Sequence, residues 1–416
     1  MDSSDDELAF TNSIYRSYFQ MNFEWPCLSF DVLIDDLGAN RVHYPHTAYF
    51  VSATQAEVAE ENQLLVTKIS ELNCTKFDDE IDDDSKLVDA KVKVCANFHP
   101  ATANRIRSMP QQSNIVATWS EEAVVLIWDI NAAIQASNKE TGQGSVELLS
   151  ECQNDTEGFG LAWSKLSKGV LAVGNNDGKI SLWKESGGSF LLLSAFEAHT
   201  ESIEDIVFSP VDDGVFACCT CGGFIEIWDS RDLLHPAAKF QAYECDCNVI
   251  DWNPSNSSAM VSGSDDGVVS VWDFRALKLT PSNPTPSGKI EYHTDSITSI
   301  EWNPNDDFEF ACASADGRVT IWDLSVEPLD PEEKEDGIPD QLMFEHYHDD
   351  PKELHYHRQI PSMIAVIGET FDVFIPDIEG DEGEEPVPPE GVELHPRDEE
   401  NQKEPQMESS DKDTSE

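Results

Sequence analysis

Basic residues are scarce in this 416-residue chain: 26 lysines and arginines stand against 81 aspartates and glutamates, a formal net charge of −55. That balance repels nucleic-acid backbone and anionic membrane surfaces. Long apolar runs are missing too, so no stretch of about 18 residues could cross a bilayer as a helix. The start, MDSSDDELAF, lacks the basic opening and apolar core of a secretory leader. A cytosolic or nuclear chain is expected, with its thiols kept reduced. Catalytic signatures are absent as well: no nucleophile elbow, no phosphate-cradling glycine loop, no metal-spaced histidine pair on a helix. No enzyme, catalytic residue, cofactor or metal is expected, and the chain reads as a monomer.

What the chain does have is cysteine at close spacing. FACCTCGGFIEIWDS holds Cys218, Cys219 and Cys221, and YECDCN adds Cys245 and Cys247. In isolation this suggests a metal cage. Internal repeats argue otherwise. VFACCTCGGFIEIWD, AMVSGSDDGVVSVWD and EFACASADGRVTIWD align without gaps, preceded by IEDIVFSP, CNVIDWNP and ITSIEWNP. Cys218 then falls on Ser262 and Cys312, at small-residue positions of a strand, and Cys247 on Ile203 and Ile297. Alternation sends Cys218 and Cys219 to opposite faces of a sheet, which spoils a shared cage. Cysteine in such places acts as a small hydrophobe.

Weaker copies flank these units. Trp128, Trp183, Trp228, Trp272 and Trp322 are spaced by 55, 45, 44 and 50 residues. Each unit alternates apolar and polar residues in short runs broken by Asp-Gly or Ser-Pro turns, as four antiparallel strands require. These motifs resemble those of the WD-repeat β-propellers. The resemblance implies a polar fastener in each blade, at His293, Ser314, Asp316 and Trp322 in the clearest unit, with His199 in the corresponding place of another. A buried indole N–H needs an acceptor, so these histidines are read as fasteners rather than catalysts. Tyr243, Gly222 and Lys184 depart from the pattern, and their blades should rely more on packing.

HTAYFVSATQ, NQLLVTKISEL and AKVKVCANFH read as a first blade, and LHYHRQIPSMIAVIGETFDVF as a seventh with Phe374 in the tryptophan place. The fold class is all-β: a seven-bladed propeller over residues 23–376. CLSFDVLI is expected to supply the outer strand that the seventh blade lacks, which would leave no sheet edge exposed. Phe10, Ile14, Tyr18 and Met21 at helical spacing predict an amphipathic N-terminal helix within residues 1–22, ended by Pro26. The tail, 377–416, has 16 acidic and 3 basic residues and reads as disordered.

The N-terminal segment, then EWPCLSFDVL, then a propeller resembles the glutamate-rich WD-repeat family of ribosome-assembly chaperones, relatives of the retinoblastoma-binding histone chaperones. HTESIEDIVFSP, EGFGLAWS and LDPEEKEDGIPDQLMFEH carry the likeness to the ribosomal branch. The resemblance implies a nuclear and nucleolar protein, able to shuttle through the cytoplasm, that escorts a basic large-subunit ribosomal protein of the protein-three class; histones are the alternative client. One departure is that the acidic runs lie at 77–87, at 327–340 and in the tail.

Acidity could serve solubility alone, yet a propeller acidic in its own right argues for a basic client, held by many weak charge-assisted contacts. Two surfaces compete. The upper face offers Glu121, Glu157, Glu201, Asp265 and Asp295, with acidic loops adding Asp78, Asp79, Glu80, Asp82, Asp83, Asp84, Glu332, Glu333, Glu335 and Asp336. A side groove between the N-terminal helix and the insertion at 327–340 offers Ile14, Tyr15, Tyr18 and Phe19. Two rival features remain. WDSR and WDFR place Arg231 and Arg275 as docking points for a ubiquitin-ligase adaptor, and HYH at 346–348 and 355–357 hints at metal ligands but suits packing better.

Overall fold

The computed structural model describes residues 14–78, 89–139, 143–277, 284–327 and 338–378. Seven four-stranded antiparallel sheets form seven blades. Blade 1 runs Cys27–Leu33, His46–Thr54, Gln63–Leu72, Lys91–Phe98 from the axis outward. Blades 2 to 6 begin at the axis with Ala103–Met109, Gly160–Trp163, Ile203–Phe208, Cys247–Trp252 and Ile297–Trp302. Blade 7 runs Glu353–Tyr356, Ile364–Ile367, Phe371–Pro376 and is completed by Tyr15–Met21. Each inner strand packs against the next around the ring.

That last strand corrects two expectations. Residues 15–21 form no helix; they pair antiparallel with blade 7, Tyr18 opposite Phe374 and Met21 opposite Phe371. Cys27–Leu33 accordingly does not close blade 7 but is the inner strand of blade 1. The aromatic, β-prone YRSYFQM takes the conformation its open edge demands, and tertiary pairing overrides the weak helical spacing. Residues 1–13 and the tail from 379 onward lie outside the described residues, as do Asp79, Glu80, Asp82, Asp83, Asp84, Glu332, Glu333, Glu335 and Asp336.

The core is a set of layers between adjacent blades. Cys218 packs with Trp228 and Phe216 on the blade 3 side, and Cys219 with Cys247 and Trp272 on the blade 5 side. The two thiols do face opposite ways. All ten cysteines are free, and burial raises Cys218 and Cys219 far above their ordinary range.

Candidate functional site

Blade fasteners fix the loops of the upper face. In blade 6, His293 Nδ1 lies 3.0 Å from Asp316 and its Nε2 lies 2.9 Å from Thr320 Oγ1. The Trp322 indole donates to that same hydroxyl at 2.7 Å. Ser314 is not the hydroxyl that joins His293 to Trp322; it donates to the Asp295 carbonyl at 2.9 Å and accepts the Asp316 N–H at 3.2 Å, and Cys312 fills the place opposite Thr320. Burial works against the Asp316 charge, but Arg318, the Thr294 N–H and His293 outweigh it and hold the carboxyl at about 2. In blade 2, Thr118 joins His99 at 2.9 Å to Trp128 at 3.0 Å. In blade 5, Ser262 accepts the Trp272 indole at 2.8 Å, and the Tyr243 hydroxyl donates to the Ser262 carbonyl at 2.9 Å, so tyrosine preserves a polar link. Blade 3 has none: the Trp183 indole N–H lacks an acceptor. In blade 4, His199 meets a fully buried carboxylate, Glu226, only at 3.9 Å.

The HYH triplets are structural too. The Tyr15 hydroxyl meets His346 Nδ1 at 2.7 Å, and His346 Nε2 lies 3.2 Å from buried Asp372. His355 bonds Glu301 at 2.8 Å, and His357 Nδ1 caps a backbone turn. Among the described residues no His, Cys, Asp or Glu group is arranged to hold a metal.

The channel is held by carboxylates reaching from one inner strand to the next. Asp205 accepts the Ile250 N–H at 3.2 Å, Asp251 that of Trp302 at 2.9 Å, and Glu301 that of Tyr356 at 3.2 Å. Glu353 accepts from Phe30 N at 3.0 Å and Asp31 from Ser108 N at 2.7 Å. Glu353 also takes Arg105 at 3.0 Å and Arg107 at 2.8 Å. Burial opposes its charge, but Arg107, Arg105 and His355 hold it at about 2. Burial instead pushes Asp251 up to about 6. Asp31, Arg105, Arg107, Asp205, Asp251 and Glu301 line a cavity of about 330 Å³.

The five expected upper-face acids do lie on one face, in turns between second and third strands or in links between blades. Glu121, Glu201, Asp265 and Asp295 are exposed, and Glu157 is half-buried. The structure does not gather all five. Asp295 turns back to the Ser296 N–H at 2.8 Å, and Glu157 bonds Asn104 at 3.2 Å. Glu201 and Asp265 converge with two acids that repeat alignment overlooked, Glu204 and Asp246. Burial raises Asp246, and so do Asp265 and Glu201; burial and Asp246 act likewise on Glu204. Like charges close by disfavour ionisation; at Glu204 the Ser202 hydroxyl and Arg105 offset part of the rise. The Glu201 carboxylate lies over Gly222, where a side chain would make it turn aside. Asp246 had a visible signal: it stands where the neighbouring repeats carry Ser202 and Ser296. Lys352, paired with Asp350 at 2.8 Å, is the only lysine in the links and turns of this face among the described residues.

The side groove fares differently. Tyr15 is buried in the blade 7 core, Tyr18 and Phe19 are partly buried on the closing strand, and Ile14 is exposed. Asp78 sits beside a segment tied to that strand through Thr75 N to Arg16 O at 3.0 Å. On the lower face, Arg231 and Arg275 each clasp the aspartate of their own Trp-Asp pair, with closest approaches of 2.5 and 2.8 Å, while remaining exposed.

Known proteins share this architecture. Residues 5–73 match the family of the histone-binding protein RBBP4 and its counterpart in the CAF1 complex, and residues 190–229, 235–273 and 284–323 match the WD domain, G-beta repeat. The chain is 36% identical to Protein HEAT STRESS TOLERANT DWD 1 of Arabidopsis thaliana, over 89% of this chain and 88% of that one. It is 35% identical to ribosome assembly protein rrb1 of Schizosaccharomyces pombe, over 87% and 80%. It is 38% identical to glutamate-rich WD repeat-containing protein 1 of Dictyostelium discoideum, over 55% of this chain and 51% of that protein's length.

Proposed function

We propose that this chain, which belongs to the glutamate-rich WD-repeat family of ribosome-assembly proteins, is a scaffold that shields a basic large-subunit ribosomal protein until rRNA claims it. The observation that carries this reading is the meeting of Glu201, Glu204, Asp246 and Asp265 on a face almost without lysine, where burial and neighbouring carboxylates raise Asp246 and Glu204. A client guanidinium or ammonium placed there relieves that repulsion and makes charge-assisted bonds. Each exposed contact contributes only about 0–1 kcal/mol, so many are needed, and phosphate can displace them. On this reading the client is of the protein-three class and is met in the nucleolus; the likeness to ribosome assembly protein rrb1 supports the ribosomal part of it. Histones are the second reading, supported by the match of residues 5–73. An adaptor at Arg231 and Arg275 would act separately, on the opposite face.

Pull-down at moderate salt with mass spectrometry decides between clients: enrichment of one large-subunit protein upholds the first reading and enrichment of core histones the second. Neutralising Glu201, Asp246 and Asp265 together should weaken client binding and flatten its salt dependence. Affinity that does not change with ionic strength would sink the mechanism.

A further inference from the structure

The loop at 34–45, between the first two strands of blade 1, encloses a pocket of about 340 Å³ on the lower face, lined in part by Leu37, Asn40, Arg41, His43 and His46. The loop is pinned to blade 7. Arg41 N donates to the Gln359 carbonyl at 2.9 Å. The Gln359 side chain donates to Asp35 O at 2.8 Å and Gly38 O at 3.1 Å, and accepts from Asp35 N at 2.9 Å. The pocket is a built feature.

Three buried nitrogens in this corner have no hydrogen-bond partner: Arg41 Nε, His46 Nδ1 and His357 Nε2. His46 is 3% exposed and His357 2%. His357 Nδ1 accepts the N–H of Gln359 at 3.1 Å and of Ile360 at 3.2 Å, which leaves the neutral ring's proton on Nε2. Arg41 Nε–H can only donate. The rest of the guanidinium is engaged, with the Thr47 carbonyl at 2.9 Å and Asp35 at 3.0 Å. Arg41 Nε–H and His357 Nε2–H are buried donors without acceptors, which costs free energy, and His46 Nδ1 beside them is a third wherever it carries its ring's proton.

We propose that this pocket binds a phosphoryl oxyanion, as free phosphate or a phosphate monoester, gripped by Arg41 Nε and His46 Nδ1 with His357 behind them. A carboxylate offers acceptors in one plane, whereas phosphate oxygens spread in three dimensions. That spread suits donors arriving from the blade 1 loop and from the neighbouring blade. The electrostatics agree: burial, Arg41 and His43 push His46 down to about 4, and burial, Arg41 and His46 push His357 down to about 3. Both rings are short of an anion. Asp35 moderates the site, so binding in the millimolar range is expected.

The test titrates the full-length chain at constant ionic strength with inorganic phosphate, phosphoserine and acetate, read by ³¹P line broadening, by the His46 ring ¹⁵N signals and by thermal shift. Phosphate or phosphoserine should saturate, move the His46 signals and raise Tm. His46→Asn and Arg41→Lys should each weaken binding by about tenfold, the loss of a charge-assisted bond, while Arg275→Gln on the same face leaves it unchanged. Tighter binding of phosphoserine assigns the site to a phosphorylated ligand; equal binding assigns it to free phosphate. Unmoved His46 signals in the unmutated protein, acetate binding as well as phosphate, or variants that keep full affinity would each overturn the proposal, and the first of these holds even if a variant fails to fold.

Discussion

Glu226 accepts the indole N–H of Trp228 at 3.0 Å, from two residues earlier on the same strand. Thr320 stands in the same relation to Trp322; in blade 7 buried Asp372 holds the equivalent place two residues before Phe374, which has no N–H to donate, and faces His346 instead. Where the second strand offers cysteine rather than hydroxyl, as at Cys218 and Cys312, the acceptor moves to the tryptophan's own strand.

Glu226 is fully buried, and its cation is Lys239 at 2.6 Å. Lys239→Met strands that carboxylate. A cost of about 2–3 kcal/mol is expected, less than for a fully buried pair because Lys239 is half-exposed. Adding Glu226→Gln to the same chain should recover most of it. Urea denaturation of the two variants checks this; equal stabilities would refute it.

Thr320 serves both His293 and Trp322, so Thr320→Val removes two bonds at once and leaves the buried indole N–H without an acceptor. It should destabilise by about 2 kcal/mol, while Thr320→Ser keeps both bonds and should cost under about 1 kcal/mol. Equal losses in thermal melts would refute the role of the hydroxyl.

The channel carboxylates titrate in opposite senses. Glu353 is held at about 2, below an unfolded value of about 4.3. Its contribution is whole above the unfolded value and disappears as pH falls toward 2. Asp251 is raised to about 6. Between there and about 3.9 the folded chain holds the extra proton, so stability from this group rises as pH falls. Asp251→Asn should remove that rise and Glu353→Gln should blunt the acid loss, both measured as unfolding free energy against pH.

Tyr15 tests the closing strand. Tyr15→Phe loses the bond to His346 and should cost about 1 kcal/mol, while Tyr15→Ala also opens a cavity and should cost about 3–5 kcal/mol. A mobile partner-binding helix would tolerate both. Circular dichroism melts distinguish the outcomes.

The blade count was legible because tryptophan spacing marks five blades, and strand-like runs at either end, with Phe374 in the tryptophan place of the last, mark the other two. His99 was legible but missed: it precedes Trp128 by the same 29 residues that separate His199 from Trp228 and His293 from Trp322. The closing strand was not legible from local pattern, since the conformation of Tyr15–Met21 is set by an edge more than 350 residues away in the chain. Of the acidic cluster, Glu201 and Asp265 were readable as loop acids. Their convergence with Glu204 and Asp246 depends on how two blades lean together, which one-dimensional spacing does not encode.

The pairing of Tyr15–Met21 with Phe371–Pro376 also dictates an order of events. A ribosome releases the first of these strands long before it makes the second. Six blades can assemble as they emerge, but the ring stays an open arc until the last is complete. The strand made first of this pair is thus the final piece used, and its aromatic face has to wait. Until the ring closes, the chain itself needs the shelter proposed for its client.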